Sequence, residues 1–187
     1  MAADPLPPDG YCAIAPGHEW HGPYHDSEYG FPVSDDRVLF ERLVLEINQA
    51  GLSWLLMLKR REGFRAAFLD YDIDRIAVFG PEDEARLRED ARIIRNRLKI
   101  AAVVHNAGVV RDLAREHGSF AAWLDRQHPL DLASWTKLMR KTFKFMGPEV
   151  VNEFLMSTGY LPGAHHRACP VHAEIAALSP PWMRAKR

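Results

Sequence analysis

Apolar positions recur at helical spacing along most of the chain, and no stretch alternates apolar and polar residues with the two-residue period of a half-buried strand. Val38, Leu39 and Leu43 precede a Gly51-Leu52 break, and Leu55, Leu56 and Leu58 follow it. The pattern predicts a helix over about Asp36 to Gln49, a tight corner, and a second helix from Trp54 to about Phe68. Ser34-Asp35-Asp36 supplies N-cap side chains for the first. The corner brings Glu46, Leu52 and Trp54 to neighbouring positions. Each also has an ordinary use, as a solvated carboxylate, a turn residue and a core filler.

Beyond the corner, Tyr71-Asp72-Ile73-Asp74 reads as a turn capping a short helix through Val78, and Pro81 with Glu82, Asp83 and Glu84 opens another. Asn96 to Arg115 is a long amphipathic helix, apolar at Ile100, Val103, Val104, Ala107 and Val110 and stopped by Gly118. Phe120 to Asp125 and Ser134 to Arg140 are short helices, and Val150 to Ser157 resumes helical spacing. Between the last two lies Thr142-Phe143-Lys144-Phe145-Met146-Gly147-Pro148-Glu149, a helix-hairpin-helix pattern. In it a Gly-bearing tight turn leads into a helix N-terminus whose free amides can hold a phosphate oxygen. The two ends lack a sustained period. Residues 1–11 read as a flexible leader, Tyr11 to Pro32 as an irregular segment laid over the body, and the chain after Gly159 as irregular until a short helix and a tail over residues 179–187 ending in Arg184, Lys186 and Arg187. The expected architecture is all-α, with one helical domain over residues 12–178.

Composition alters this picture little. A chain of 187 residues, 47% hydrophobic, can bury a sizeable core. A net charge of −1 argues against a uniformly basic nucleic-acid coat. Local basic clusters remain: Lys59, Arg60, Arg61 and Arg65; Arg92, Arg95, Arg97 and Lys99; Lys137, Arg140, Lys141 and Lys144. A solvated helix face explains any one of them equally well. No apolar run approaches the roughly twenty residues that span a bilayer, and MAADPLPPDG has neither the basic nor the apolar part of a secretory signal. A soluble protein without a membrane partner is expected.

The only two cysteines, Cys12 and Cys169, lie near opposite ends of the chain. In a cytosolic protein such a pair suits a metal site or two unrelated thiols better than a disulfide. With His25 and His165 they form a two-thiolate, two-imidazole set of the kind that closes a tetrahedral structural zinc. Nine histidines make accidental pairings common, and His166 or His172 compete with His165 for the role.

Several segments together resemble the DNA-3-methyladenine glycosylase I family. They are Pro23-Tyr24-His25-Asp26-Ser27-Glu28-Tyr29-Gly30, Leu45-Glu46 with Gln49-Ala50-Gly51-Leu52-Ser53-Trp54, and Lys59-Arg60-Arg61-Glu62. Ile93-Ile94-Arg95-Asn96-Arg97 with Lys99-Ile100, then Phe143-Lys144-Phe145-Met146-Gly147-Pro148, and finally His165 and Cys169 continue the match in order, over nearly all of the chain after about residue 11. The resemblance implies an all-α helix-hairpin-helix fold and a structural zinc held by Cys12, His25, His165 and Cys169, tying the two terminal segments together. It also implies a base pocket in which Glu46 accepts hydrogen bonds from an extruded base and acts as the catalytic carboxylate, while Tyr24 and Trp54 stack on the base and Tyr29 stands where the family often has Trp. Gly51 and Leu52 would fill the gap the base leaves, and Lys144 and Gly147 of the hairpin would meet the DNA. The implied activity is excision of 3-methyladenine from alkylated double-stranded DNA, with the free base as product, by a cytoplasmic monomer. No Asp follows Asp131, whereas related hairpin glycosylases carry a catalytic Asp beyond the hairpin, so no lyase activity is expected.

The chain departs from the family pattern at several positions. Ile47 and Asn48 replace a smaller pair after the pocket glutamate, and a bulky Ile47 would narrow the pocket. His21 stands where a Tyr is frequent, and Arg92 and Leu98 where glycines are. Thr142 replaces a hairpin glycine, and Glu149 a small hydroxyl residue where it would repel a phosphate. A related glycosylase with shifted base preference, or a zinc-stapled DNA-binding protein without catalysis, are the competing readings.

Overall fold

The structure is a computed structural model and describes residues 4–184, so the first three residues of the expected leader, and Lys186 and Arg187 of the basic end, lie outside the described residues. The described chain is helical throughout, with no strand. The N-terminal part comprises α1 (Tyr11–Ile14), α2 (His21–Ser27), α3 (Asp36–Gln49) and α4 (Trp54–Ala67). After a 3-10 turn at Leu69–Tyr71 come α5 (Ile73–Ile76), α6 (Pro81–Glu89) and the long α7 (Arg97–His117). The chain then forms α8 (Phe120–Gln127), α9 (Leu132–Thr142), α10 (Pro148–Ser157) and α11 (Pro170–Ala177), ending in a 3-10 turn at Pro181–Met183. No described helix is long and apolar enough to cross a membrane.

Helix starts follow side-chain chemistry. Asp35 accepts from the amides of Arg37 and Val38, Ser53 from Leu56, Asn96 from Leu98 and Lys99, and Ser119 from Ala122. Each such cap satisfies amides that the first helical turn leaves without a partner, and is worth about 1 kcal/mol. Asp131 caps α9 through the Ser134 amide, which starts that helix at Leu132, ahead of the Ser134 start read from periodicity. Pro148 likewise opens α10 before Val150, its missing N–H costing nothing in a first turn.

The segment from Tyr11 to Pro32 corrects the expectation of irregular chain, because α1 and α2 lie within it. Helices of four and seven residues are too short to show a period, and α2 contains Gly22 and Pro23. Contacts from outside hold them: Tyr11 packs edge-on against His21, His25 and Tyr29. The first basic cluster is also corrected. Arg61 is spent on Glu28 and Glu41, Arg65 reaches Glu41, and Arg60 donates to the carbonyls of Ala91 and Ile93. It is internal scaffolding more than a nucleic-acid surface.

Helix α3 is the axis of the core. Leu39 to Asn48 are all buried, and α4, α7, α8 and α10 pack around this helix. Two buried polar side chains then fix the loops that matter. Lys99 of α7 is only 5% exposed and donates to the carbonyls of Asn48 (2.8 Å) and Ala50 (2.7 Å), satisfying the end of α3 where the corner begins. Asn106, about two turns further along the same face of α7, makes a reciprocal pair with the hairpin: its Nδ2 donates to the Lys144 carbonyl (3.1 Å) and its Oδ1 accepts from the Lys144 amide (2.8 Å).

The Asn106 pair predicts its own test. Replacing Asn106 with Leu leaves the Lys144 amide and carbonyl without these partners in a part-buried setting, which costs about 1 kcal/mol. Urea denaturation should show that loss, and hydrogen exchange at the Lys144 amide should speed up relative to amides of α3. Unchanged exchange at Lys144 would show that the hairpin does not depend on Asn106.

Candidate functional site

A cavity of about 270 Å³ opens where α2, the Tyr29 segment, α3, the start of α4 and α10 converge. Its lining is Tyr24, Tyr29, Glu46, Trp54 and Glu153, with Tyr11 and Gln49. All four base-binding residues expected from the sequence are thus brought together. The physical origin is local. Glu46 lies in the last turns of α3, Ser53 caps α4 so that Trp54 is its first residue, and the Gly51 corner between them turns through a left-handed φ of 81° that suits glycine.

The rings form a tilted box: Tyr24 and Trp54 centroids are 5.0 Å apart, and Tyr24 and Tyr29 are 5.6 Å apart. Trp54 Nε1 is buried without a hydrogen-bond partner, and Tyr24 Oη has no hydrogen bond of normal geometry, only the Arg42 guanidinium lying 4.8 Å over its ring. Buried donors without partners are rare, and these two belong to residues that line the cavity. Glu46 is 3% exposed. Burial, and next the negative charge of Glu153, push its carboxyl up to about 8 against the opposing pull of Arg42. An empty pocket therefore favours the neutral acid near pH 7, and a cationic guest restores the carboxylate.

Two residues here escaped the sequence reading. Arg42 reads as an ordinary charged position on α3, yet it is buried, pairs with Glu28 and stacks on Tyr24. Glu153 reads as a solvated residue of α10, yet it accepts a hydrogen bond from Tyr29 Oη at 3.1 Å and faces Glu46 across the cavity. Its place four residues beyond Glu149, on the helix that leaves the hairpin, was the only available signal. In the other direction, Ile47 is fully buried in the core and Asn48 donates to the Val44 carbonyl, so neither lines or narrows the pocket.

Beside the pocket runs an open groove of about 960 Å³, walled by Gly51 on one side and by Arg140, Lys144, Gly147 and Glu149 on the other. Leu52, 39% exposed, stands at the adjacent corner tip. Among the described residues Lys137, Arg140, Lys141 and Lys144 form no ion pair, so this cluster keeps its charge for a partner, unlike the first. Gly147 is the N-cap of α10 at φ −72°, and the left-handed position of the hairpin belongs instead to Phe145, at φ 64° and 40% exposed.

At the far side of α2, Cys12, His25, His165 and Cys169 converge, all buried, with their ligand atoms within 4.8 Å of one another. Cys12 Sγ lies 3.6 Å from His165 Nδ1, and Cys169 Sγ lies 3.7 Å from both His165 Nδ1 and His25 Nε2. Zinc–sulfur and zinc–nitrogen bonds of about 2.3 and 2.05 Å at tetrahedral angles set an S···N edge of about 3.6 Å, so the donors fit such an ion. The outer ring nitrogens are occupied, His25 Nδ1 with Asp26 and His165 Nε2 with the Tyr29 carbonyl, each at 2.7 Å, which orients the inner ones. His166 accepts from the Ala168 amide and His172 packs on Trp182, so neither competes for the cluster.

Comparison with known proteins agrees with this fold. Residues 16–134 match the family model described as methyladenine glycosylase. DNA-3-methyladenine glycosylase 1 of Escherichia coli (strain K12) is 34% identical over 155 residues, covering 73% of this chain and 83% of that protein. A structure of 3-methyladenine DNA glycosylase I from Staphylococcus aureus superposes with a TM-score of 0.78 at 30% identity, over 86% of this chain and 95% of the other. A variant 3-methyladenine DNA glycosylase I solved in complex with 3-methyladenine gives 0.77 at 29% identity, over 86% and 96%. With the family model matched over more than half of this chain and the same helical architecture in solved members, the chain belongs to the methyladenine glycosylase family.

Proposed function

We propose that this protein is a monofunctional DNA glycosylase that hydrolyses the N-glycosidic bond of 3-methyladenine in alkylated duplex DNA and so starts base excision repair. The observation that carries the reading is the pocket: three aromatic rings and a buried carboxyl, with Trp54 Nε1 unsatisfied, beside a groove bearing free cations. Purine alkylation at N3 places a positive charge on the base. Aromatic faces and Glu46 favour that charge over a neutral adenine by cation–π and Coulomb attraction. Binding the cation and ionising Glu46 support one another, because the charge that stabilises the carboxylate arrives with the substrate.

Extrusion of the base costs a few kcal/mol, least for a damaged base, and Leu52 at the corner tip is placed to fill the vacated stack. The groove cations and the first turn of α10 hold the backbone. Attraction to the cationic ground state does not by itself hasten departure of the base. The protein's remaining tasks are to hold the base in the pocket while the bond breaks and to admit one water to the sugar carbon. The zinc would be held by Cys12, His25, His165 and Cys169 as a staple between α1, α2 and the C-terminal segment, with no part in the chemistry.

Chromatography of bases released from methylated duplex DNA tests the reading, with selective 3-methyladenine release expected and none from unmethylated DNA. In the same assay Glu46→Gln should slow release by more than about tenfold while duplex binding persists; equal activity would remove Glu46 from the mechanism. Elemental analysis should find one zinc per chain, and Cys169→Ser should lose it together with thermal stability, whereas a metal-free protein that melts at the same temperature would exclude the staple. Glu46 also sets a pH signature. A carboxyl whose pKa is raised on folding binds its proton more tightly in the native state, so wild-type stability falls as pH climbs from the unfolded value near 4.5 to about 8. Glu46→Gln lacks that penalty and should match the wild type near pH 4 but exceed it at pH 8, by up to about 4 kcal/mol. Parallel stability curves for the two proteins would show that Glu46 ionises normally.

A further inference from the structure

Glu153 and Gln49 are the two side chains that line both the closed pocket and the open groove, so they stand at the aperture between them. Glu46 lines the pocket alone, sealed at its inner wall. With a base in the pocket and its backbone in the groove, the sugar and the glycosidic bond occupy the aperture. The carboxylate nearest the reacting sugar carbon is then Glu153, not Glu46.

We propose that Glu153 is the general base of this glycosylase, activating the water that attacks the sugar at the aperture, while Glu46 recognises the base. The proposal rests on the glycosylase reading given above. The step balances without a further reactant. The sugar–nitrogen bond breaks with its electron pair passing to the base, which leaves as neutral 3-methyladenine. The water oxygen bonds to the sugar carbon and its proton passes to Glu153, which later releases it to solvent.

Three features equip Glu153 for this role. Tyr29 Oη holds its Oε2 at 3.1 Å, which fixes the carboxylate from the side opposite its own helix. It is partly buried, open to solvent through the groove where water enters. Burial, with the charge of Glu149 one turn earlier, pushes its carboxyl up, and the Tyr29 hydrogen bond moderates the shift; a more basic carboxylate takes a proton more readily. The developing sugar cation also gains from a negative charge at this point, and nothing in the groove competes with Glu153 for it except Glu149 at the hairpin end.

The experiment is a split of chemistry from binding, made on the zinc-loaded full chain. Single-turnover release of 3-methyladenine from methylated duplex DNA is measured at saturating enzyme, and binding of free 3-methyladenine is followed by Trp fluorescence. Glu153→Gln is expected to slow release at least about tenfold while the affinity for free base changes by less than about twofold. Glu46→Gln should weaken both. Loss of a mere structural prop would lower both readouts together, and relief of negative charge in the groove would tighten DNA binding without slowing release. Either of those patterns, or release by Glu153→Gln at the wild-type rate, overturns the proposal while leaving the glycosylase reading intact. A wild type that releases no base overturns both. Should Glu153→Gln fold poorly by circular dichroism, Glu153→Ala with added formate gives the same decision: a restored rate supports the role, and an unrestored one refutes it.

Discussion

One carboxylate holds the site together. Glu28, in the turn after α2, is gripped by Arg42 of α3 and by both terminal nitrogens of Arg61 of α4, the latter at 2.7 and 2.8 Å. Burial opposes its ionisation, yet the hydrogen bonds and charges of these arginines keep its carboxyl below the usual range. Arg61 in turn reaches Glu41 at 2.7 Å, and Arg65 reaches the same carboxylate, so five charges from three elements form one network. Through it the short α2, which could not stand alone, is pinned over the α3–α4 corner. The pocket is the space left between them. Arg42 serves both the network and the Tyr24 ring that lines the pocket.

The cluster of Cys12, His25, His165 and Cys169 secures the same α2 from its other side. His25 follows Tyr24 directly, so the residue that faces the cluster and the residue that faces the pocket are neighbours on one turn. Tyr29 repeats the arrangement, its carbonyl orienting His165 and its hydroxyl holding Glu153. Only a few covalent bonds therefore separate the two centres.

Much of this was legible in the sequence, and the rest was hidden for identifiable reasons. The helices of α3, α4 and α7 carry clear periods and strong caps at Asp35, Ser53 and Asn96, and they formed where expected. The pocket residues Tyr24, Tyr29, Glu46 and Trp54 and the four cluster residues were also visible, because resemblance to a family ties distant positions together in a way periodicity cannot. α1 and α2 were missed because seven residues cannot display a 3.6-residue period. Arg61 looked like part of a surface patch because charge signs along a chain do not reveal which partners fold onto them, and Glu28 lies 33 positions away. Glu153 carries no signal along the chain, because a glutamate on a short helix reads as solvated until Tyr29 and the pocket fold against it.

Lys99 spans the gap between the two structures that would handle DNA. Its ammonium is bonded to the α3 end from which the Gly51-Leu52 tip projects, and it lies 5.8 Å from the ring of Phe145 at the hairpin. With Asn106 clamping the preceding residue, Lys144, of the same hairpin, one helix sets the distance between tip and hairpin as the spine of a caliper sets its jaws. A gauge of fixed opening does not yield to what it measures. On the glycosylase reading proposed above, a duplex docked against both would meet a spacing set by the protein, and the deformation would fall on the duplex, whose stiffness varies from step to step.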